Sequence, residues 1–125
     1  MASRGVKLKG WAKAIEAFGR LAPGTAELVL VGEGAHLNEL RARPVPRGVR
    51  FAGFSDNPVD QIADSDVCLL PSEFPHESLP TAVMEYLCCG KPVIATDVGE
   101  IGAMIRTPDG QYAGILLPLP VAIAQ

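Results

Sequence analysis

The sequence lacks a surplus of either charge: 11 basic residues stand against 14 acidic ones, a formal net charge of -3. A protein that binds nucleic acid or another polyanion through its overall field carries a basic excess, so that class is excluded and any anionic ligand must be held locally. Cysteine is scarce and odd in number, at Cys68, Cys88 and Cys89. Such thiols, two of them adjacent and all in apolar segments, do not make a disulfide framework. They read as buried thiols of a reducing compartment, with Cys88 and Cys89 in a helix core. The ligand spacing of a zinc site is absent, and no metal is expected. The opening MASRGVKLKG lacks the apolar run of a signal peptide. No apolar run reaches the roughly 20 residues that span a bilayer, and the longest, AGILLPLPVAIAQ, is broken by Pro118 and Pro120. A cytoplasmic location is the expectation. No internal repeat or low-complexity linker divides the chain.

What is present is material for a core. In 125 residues, 48% are hydrophobic, enough for one compact domain spanning residues 1–125. Trp11, Ala14, Ile15, Phe18, Leu21 and Ala22 recur at steps of three and four. This predicts an amphipathic helix from Gly10 to Ala22, closed by Pro23-Gly24, with Trp11 on its core face. ELVLVG, continuous and β-branched, reads as a strand buried on both faces. AHLNELRAR predicts a short helix on which His36 caps or faces solvent. GVRFAGF predicts a strand, NPVDQIADS a helix with Pro58 near its start, and DVCLLPS another buried strand. A helix follows from about Leu79 to Cys89 with Gly90 as its cap, then the strand PVIAT, a short helix in GEIGAMIR and a last strand in AGILL. Alternating helices and doubly buried strands imply an α/β domain: a Rossmann-like parallel sheet with helices on both faces.

Within PHESLPTAVMEYLCCGKPVIAT two acids, Glu77 and Glu85, stand eight positions apart. In such a sheet ligands sit beyond the carboxyl ends of the strands, where DVCLLPS delivers the chain and the polar loop SEFPHES hangs over the edge. Pro80 suits the first turn of the next helix, which leaves the N–H groups of Ser78, Leu79 and Thr81 free to face an anion, above all a phosphate. Glu85 is about two turns on, so the carboxylates stand roughly 12 Å apart, too far to share one atom as an acid/base pair. They suit hydroxyls at opposite ends of an elongated ligand, each carboxylate accepting from a vicinal diol. A diphosphate with a sugar at either end has that shape. By spacing alone Glu77 also reads as a solvated loop acid and Glu85 as a helix-surface acid. The apolar neighbours Ala82, Val83, Met84, Leu87 and Cys88 weigh against that for Glu85, because an acid among them needs a partner.

ESLPTAVME followed by CGKPVIAT resembles the C-terminal half of GT-B glycosyltransferases of the retaining glycosyl transferases group 1 class. LVGEGAHLNEL is similar to that family's glycine loop and helix, VRFAGFSD to its base-side strand and loop, and DVCLLPSEFPHES to its run into the first glutamate. Arg4, four residues, then Lys9-Gly10 resembles its diphosphate grip. The resemblance runs from Arg4 to about Leu117. It implies that Arg4, Lys9 and Glu77 are the catalytic groups: Arg4 and Lys9 neutralise the phosphates and the leaving nucleoside diphosphate, and Glu77 holds the transferred sugar. It further implies that Glu85 holds the ribose, that Gly32 lets backbone approach the ligand, and that the backbone of Gly53 and Phe54 borders the base. The N–H groups of Ser78, Leu79 and Thr81, with Pro80 setting the turn, complete the phosphate site. Fixed cations and a helix dipole, with no metal or other cofactor, carry the leaving-group chemistry of a UDP- or GDP-sugar donor. His76 is a further candidate for sugar contact. Apart from the family, Arg4 and Lys9 read as charges of a frayed terminus.

The sequence departs from the family in three respects. Against the resemblance, the strand ahead of Arg4, the closing helices and an N-terminal acceptor domain are expected to be lacking, and DVGEIGAMI has Glu100 where a second glycine and Ala103 where a glutamate is usual. The expectation is therefore a truncated donor-binding half, inactive without an acceptor domain or partner chain, cytoplasmic and in the full enzyme peripheral to the membrane. The alternative is a non-catalytic nucleotide-binding or self-associating relic, a homodimer paired through the sheet edge that the missing strand leaves open.

Overall fold

Residues 1–119 are described by a computed structural model; PVAIAQ, the end of the proline-broken tail, lies outside the described residues. Helices and strands alternate in the expected order. The run after Lys9 forms α1, Trp11–Phe18, with Trp11, Ala14 and Ile15 buried. It ends before Ala22 because Gly19 starts a tighter coil, in which Arg20 N–H bonds Ala17 and Leu21 N–H bonds Phe18. β1 is Leu28–Val31, α2 Ala35–Arg41, β2 Val49–Gly53, α3 Val59–Ala63 and β3 Cys68–Leu70. α4 is Thr81–Cys88, β4 Val93–Thr96, α5 Ile101–Met104 and β5 Gly114–Leu117. α4 starts two residues later than expected: Pro80 is its cap (φ -58°, ψ 121°) and not a first-turn residue, and Leu79 before it adopts φ 45°. Proline disfavours the helical conformation in the residue ahead of it.

All strand pairs are parallel, but the single expected sheet is divided. β1 pairs with β2, Leu28 opposite Val49; β3 pairs with β4 and β4 with β5, Cys68 opposite Val93 and Val93 opposite Gly114. Met1–Ser3 runs between the two groups. Val31 N–H bonds Met1 O at 2.8 Å and Ser3 N–H bonds Val31 O at 3.1 Å, so this segment extends the β1 side. On its other side the Ala2 N–H donates to the Tyr86 hydroxyl at 2.8 Å, and that hydroxyl reaches Leu69 O at 3.0 Å and Ala2 O at 3.2 Å. A phenol oxygen thus stands where a ladder to β3 would run. Residues 1–3 thus lie beside β1, bridged to it at Ala2 and bonded on the other side to the Tyr86 hydroxyl.

The strand alternation sends side chains to two cores. Leu28 and Leu30 pack with Trp11 and Ile15 of α1 and with Leu37 and Leu40 of α2. Val31, Leu70, Val93 and Ala95 pack with Ile62 of α3, Val83 and Tyr86 of α4 and Ile101 of α5. Helices cover both faces, as expected. The expected thiol burial holds for Cys68 only; Cys88 is exposed and Cys89 half-buried, because α4 turns Val83 and Tyr86 to the core and Cys88 away from it. Among the described residues no helix is long and apolar enough to cross a membrane.

Candidate functional site

The carboxyl ends of β1, β3 and β4 run into Gly32-Glu33-Gly34, into the loop from Pro71 to Glu77, and into Asp97-Val98-Gly99. Four polar or charged side chains are buried among the described residues, Lys9, Ser72, Glu77 and Thr96. They form one network at this rim. Lys9 Nζ donates to Glu77 Oε1 in a buried ion pair. Ser72 Oγ donates to the same oxygen at 2.6 Å and accepts the Phe74 N–H at 3.2 Å, while Thr96 Oγ1 donates to Ser72 O. A carboxylate only 5% exposed requires such partners. The loop backbone is pinned as well: Glu73 N–H bonds Leu8 O at 2.7 Å and Glu100 N–H bonds Glu77 O at 2.8 Å. Gly99, at φ 52°, passes so close that a Cβ there would sit 2.0 Å from Glu77 O.

Beside this network lies a cavity of about 1130 Å³. Of the residues that the sequence nominated for the site, all but Gly53 and His76 line it. Arg4, Lys9 and Gly32 come from the N-terminal segment and the end of β1, and Phe54 from the end of β2. Glu77, Ser78, Leu79, Pro80, Thr81 and Glu85 come from the loop and first turns of α4. Arg4 is exposed and makes no ion pair among the described residues; its carbonyl accepts the Trp11 Nε1–H at 2.9 Å, which ties it to the core. Glu85 is half-buried and likewise without an ion-pair partner among them. No hydrogen bond among the described residues takes up the N–H groups of Ser78 and Leu79. The cavity wall therefore carries a free cation, an ion pair, a free carboxylate and open backbone donors.

Some expectations change in detail. Gly32 lines the cavity, but the space left by its missing side chain is filled by the chain itself, since a Cβ at φ 153° would lie 2.2 Å from Ser3 O. Lys9 is not a frayed charge but is buried against Glu77. His76 does not line the cavity; it is exposed and packs edge-on to Phe74 with centroids 5.9 Å apart. His36 does not face solvent: its side chain is 14% exposed, Nδ1 lies 3.5 Å from Glu39, and Nε2 is buried without a partner. Trp11 is core, as expected. Burial pushes the Cys68 thiol up, away from the reactive thiolate. Among the described residues no cluster of metal ligands is present.

Ser72 and Thr96 were missed. Their signal was available: each is a hydroxyl residue at the carboxyl end of a doubly buried strand, where a polar side chain needs a partner. Ser55 and Asn38, also on the cavity wall, carried no pattern that set them apart.

The family described as glycosyl transferases group 1 matches residues 1–125. The chain is 33% identical over 111 residues to N-acetyl-alpha-D-glucosaminyl L-malate synthase of Bacillus anthracis, covering 85% of this chain and 29% of that protein. It is 32% identical over 91 residues to the GDP-mannose-dependent alpha-(1-6)-phosphatidylinositol dimannoside mannosyltransferase of Mycobacterium tuberculosis, 70% of this chain and 23% of that one. The crystal structure of Anabaena HepE in complex with UDP and glucose superposes with a TM-score of 0.77 at 26% identity, over 94% of this chain and 33% of HepE. The chain thus spans about a third or less of the length of these proteins.

Proposed function

This chain belongs to the glycosyl transferases group 1 family and has the α/β fold of GT-B glycosyltransferases, and from that premise we propose that it is the donor-binding domain of a retaining glycosyltransferase. The donor is a nucleoside-diphosphate sugar, UDP- or GDP-linked, in keeping with the UDP complex of HepE and the GDP-mannose dependence of the mycobacterial relative. The observation that carries the reading is the convergence of Arg4, Lys9, Glu77 and Glu85 on one cavity. An acceptor domain, on the same chain or a partner, completes the transfer site in this reading. Its place is the cytoplasm, at the membrane surface in the full enzyme.

The steps follow from charge and position. Arg4 and the free protons of the Lys9 ammonium face the diphosphate and stabilise the charge that gathers on it as the sugar leaves. The N–H groups of Ser78 and Leu79, with that of Thr81 in the first turn of α4, add donors on the same side. Glu85 accepts from the ribose diol, Glu77 from hydroxyls of the transferred sugar, and the turn at Gly53-Phe54 borders the base. Gly32 keeps the N-terminal segment close enough for Arg4 to reach the cavity. The departure of the diphosphate needs no metal or organic cofactor in this scheme.

Calorimetric titration with UDP, GDP and their sugars tests the reading. Weak binding is expected, with Glu85→Ala losing about tenfold, the scale of a hydrogen bond to a charged group, and Lys9→Ala losing more. Absence of binding to every nucleotide would leave the relic module as the better account. Self-association, if present, uses β5, which pairs only with β4 among the described residues and exposes Ile115 and Leu117; light scattering showing a strict monomer removes it.

A further inference from the structure

We propose that Ser72 is a positioning residue that sets which oxygen of Glu77 meets the donor sugar; the inference rests on the assignment of Glu77 to that sugar. Glu77 lines the cavity yet is almost fully buried, so its carboxylate has an inner and an outer side. Both of its bonds fall on Oε1, from Lys9 Nζ and from Ser72 Oγ. Oε2 receives none among the described residues, and it is not among the buried atoms without a partner, which are His36 Nε2 and Gln61 Oε1. Oε2 is therefore the oxygen that opens on the cavity.

One bond from a flexible ammonium does not fix rotation about the last torsion of a glutamate, which is broad and roughly two-fold. The second bond does. Ser72 is fully buried and its own geometry is determined from three sides: Thr96 holds its carbonyl, the Phe74 N–H donates to its hydroxyl, and Glu77 at 2.6 Å takes its single proton ahead of the Leu8 carbonyl at 3.2 Å. A rigid donor on the inner side keeps one oxygen inward and presents the other, with both its lone pairs, to sugar hydroxyls. Ser72 itself lines no part of the cavity.

The test is the gain in affinity that the sugar supplies. UDP is compared with UDP-glucose, and GDP with GDP-mannose, in the native chain and in Ser72→Ala, Ser72→Cys and Glu77→Gln. Cysteine is slightly larger than serine but keeps a side chain of the same shape with a much weaker donor, so it serves if the alanine variant does not fold. The expected result is that the Ser72 variants bind the bare diphosphates within about twofold of the native chain but lose most of the sugar's contribution, about tenfold where that contribution is a charged hydrogen bond. A general structural defect would weaken both ligands together and would overturn the proposal. So would a sugar contribution that Glu77→Gln removes and the Ser72 variants keep. If Glu77→Gln leaves the sugar's contribution intact, the assignment of Glu77 fails instead, and the role of Ser72 falls with it.

Discussion

At the scale of single residues the rim is governed by one buried pair. Lys9 and Glu77 are each less than a tenth exposed, and each is tolerable there only because of the other. Lys9→Met removes the cation and leaves a carboxylate whose remaining partner is Ser72. It is expected to cost about 3 kcal/mol of stability, the usual penalty for stranding a buried charge. The double variant Lys9→Met with Glu77→Leu is expected to recover most of that loss. Urea denaturation of the two singles and the double closes the cycle, and additive losses would show that the pair is not coupled. Under the proposed function the pair also bears on ligand capture: a diphosphate that drew on Lys9 would share an ammonium already held by Glu77, linking the grip on phosphate to the placement of the carboxylate assigned to the sugar.

At the scale of elements the seam between the two strand groups decides how rigidly the cavity walls are joined. The Tyr86 hydroxyl, on α4, bonds Ala2 and Leu69 and so ties the segment leading to Arg4 to β3 and to the helix that bears Glu85. Tyr86→Phe keeps the ring and deletes these bonds, and is expected to cost about 1 to 3 kcal/mol because buried backbone groups are left unpaired. Burial also pushes the Tyr86 ionisation well above the ordinary value of 10.0. The folded state then retains the proton while the unfolded chain loses it. Stability therefore falls as pH rises above about 10, by up to about 1.4 kcal/mol per unit, until the folded-state value is reached. Native and Tyr86→Phe chains compared by denaturation between pH 8 and 11 should differ in this alkaline slope, the variant being flatter.

The same elements show what was legible beforehand. Strand and helix order followed from apolar runs and three-four spacing, since ELVLVG and DVCLLPS admit little else, and the polar loop SEFPHES at a strand's carboxyl end put Glu77 and Glu85 at the rim, where spacing alone left both open to a solvated reading. Tyr86 was silent. Its neighbours are apolar, its own ring is apolar, and the role of its hydroxyl depends on Ala2, far away in sequence. Helix ends were misplaced where proline and glycine act over two residues, at Leu79-Pro80 and at Gly19. The face of Cys88 depended on which turn of α4 meets the sheet, and spacing alone did not settle that.

At the scale of the whole molecule the cavity wall is assembled from separate parts of the chain: the N-terminal segment, the end of β2, the loop after β3 and the start of α4. A ligand bridging them binds the folded state alone, so it must raise the unfolding free energy by mass action. At a concentration 100 times its dissociation constant UDP or GDP is expected to add about 2.7 kcal/mol, read as a rise of several degrees in the melting temperature. Inorganic phosphate, which engages only the cationic part of the wall, should fall well short of this at the same concentration. Equal shifts from both would mean that the β2 side contributes nothing.

The tie between Trp11 and Arg4 has a further use. Trp11 is the sole tryptophan of the sequence, fully enclosed, and its indole N–H rests on the carbonyl of a residue in the cavity wall. Its fluorescence should be blue-shifted in the free protein, and under the proposed function a shift of the Arg4 backbone on anion binding is expected to stretch or bend that one hydrogen bond. The molecule thus carries its own optical gauge, with no label needed: emission followed during nucleotide addition should trace an isotherm that Arg4→Ala flattens.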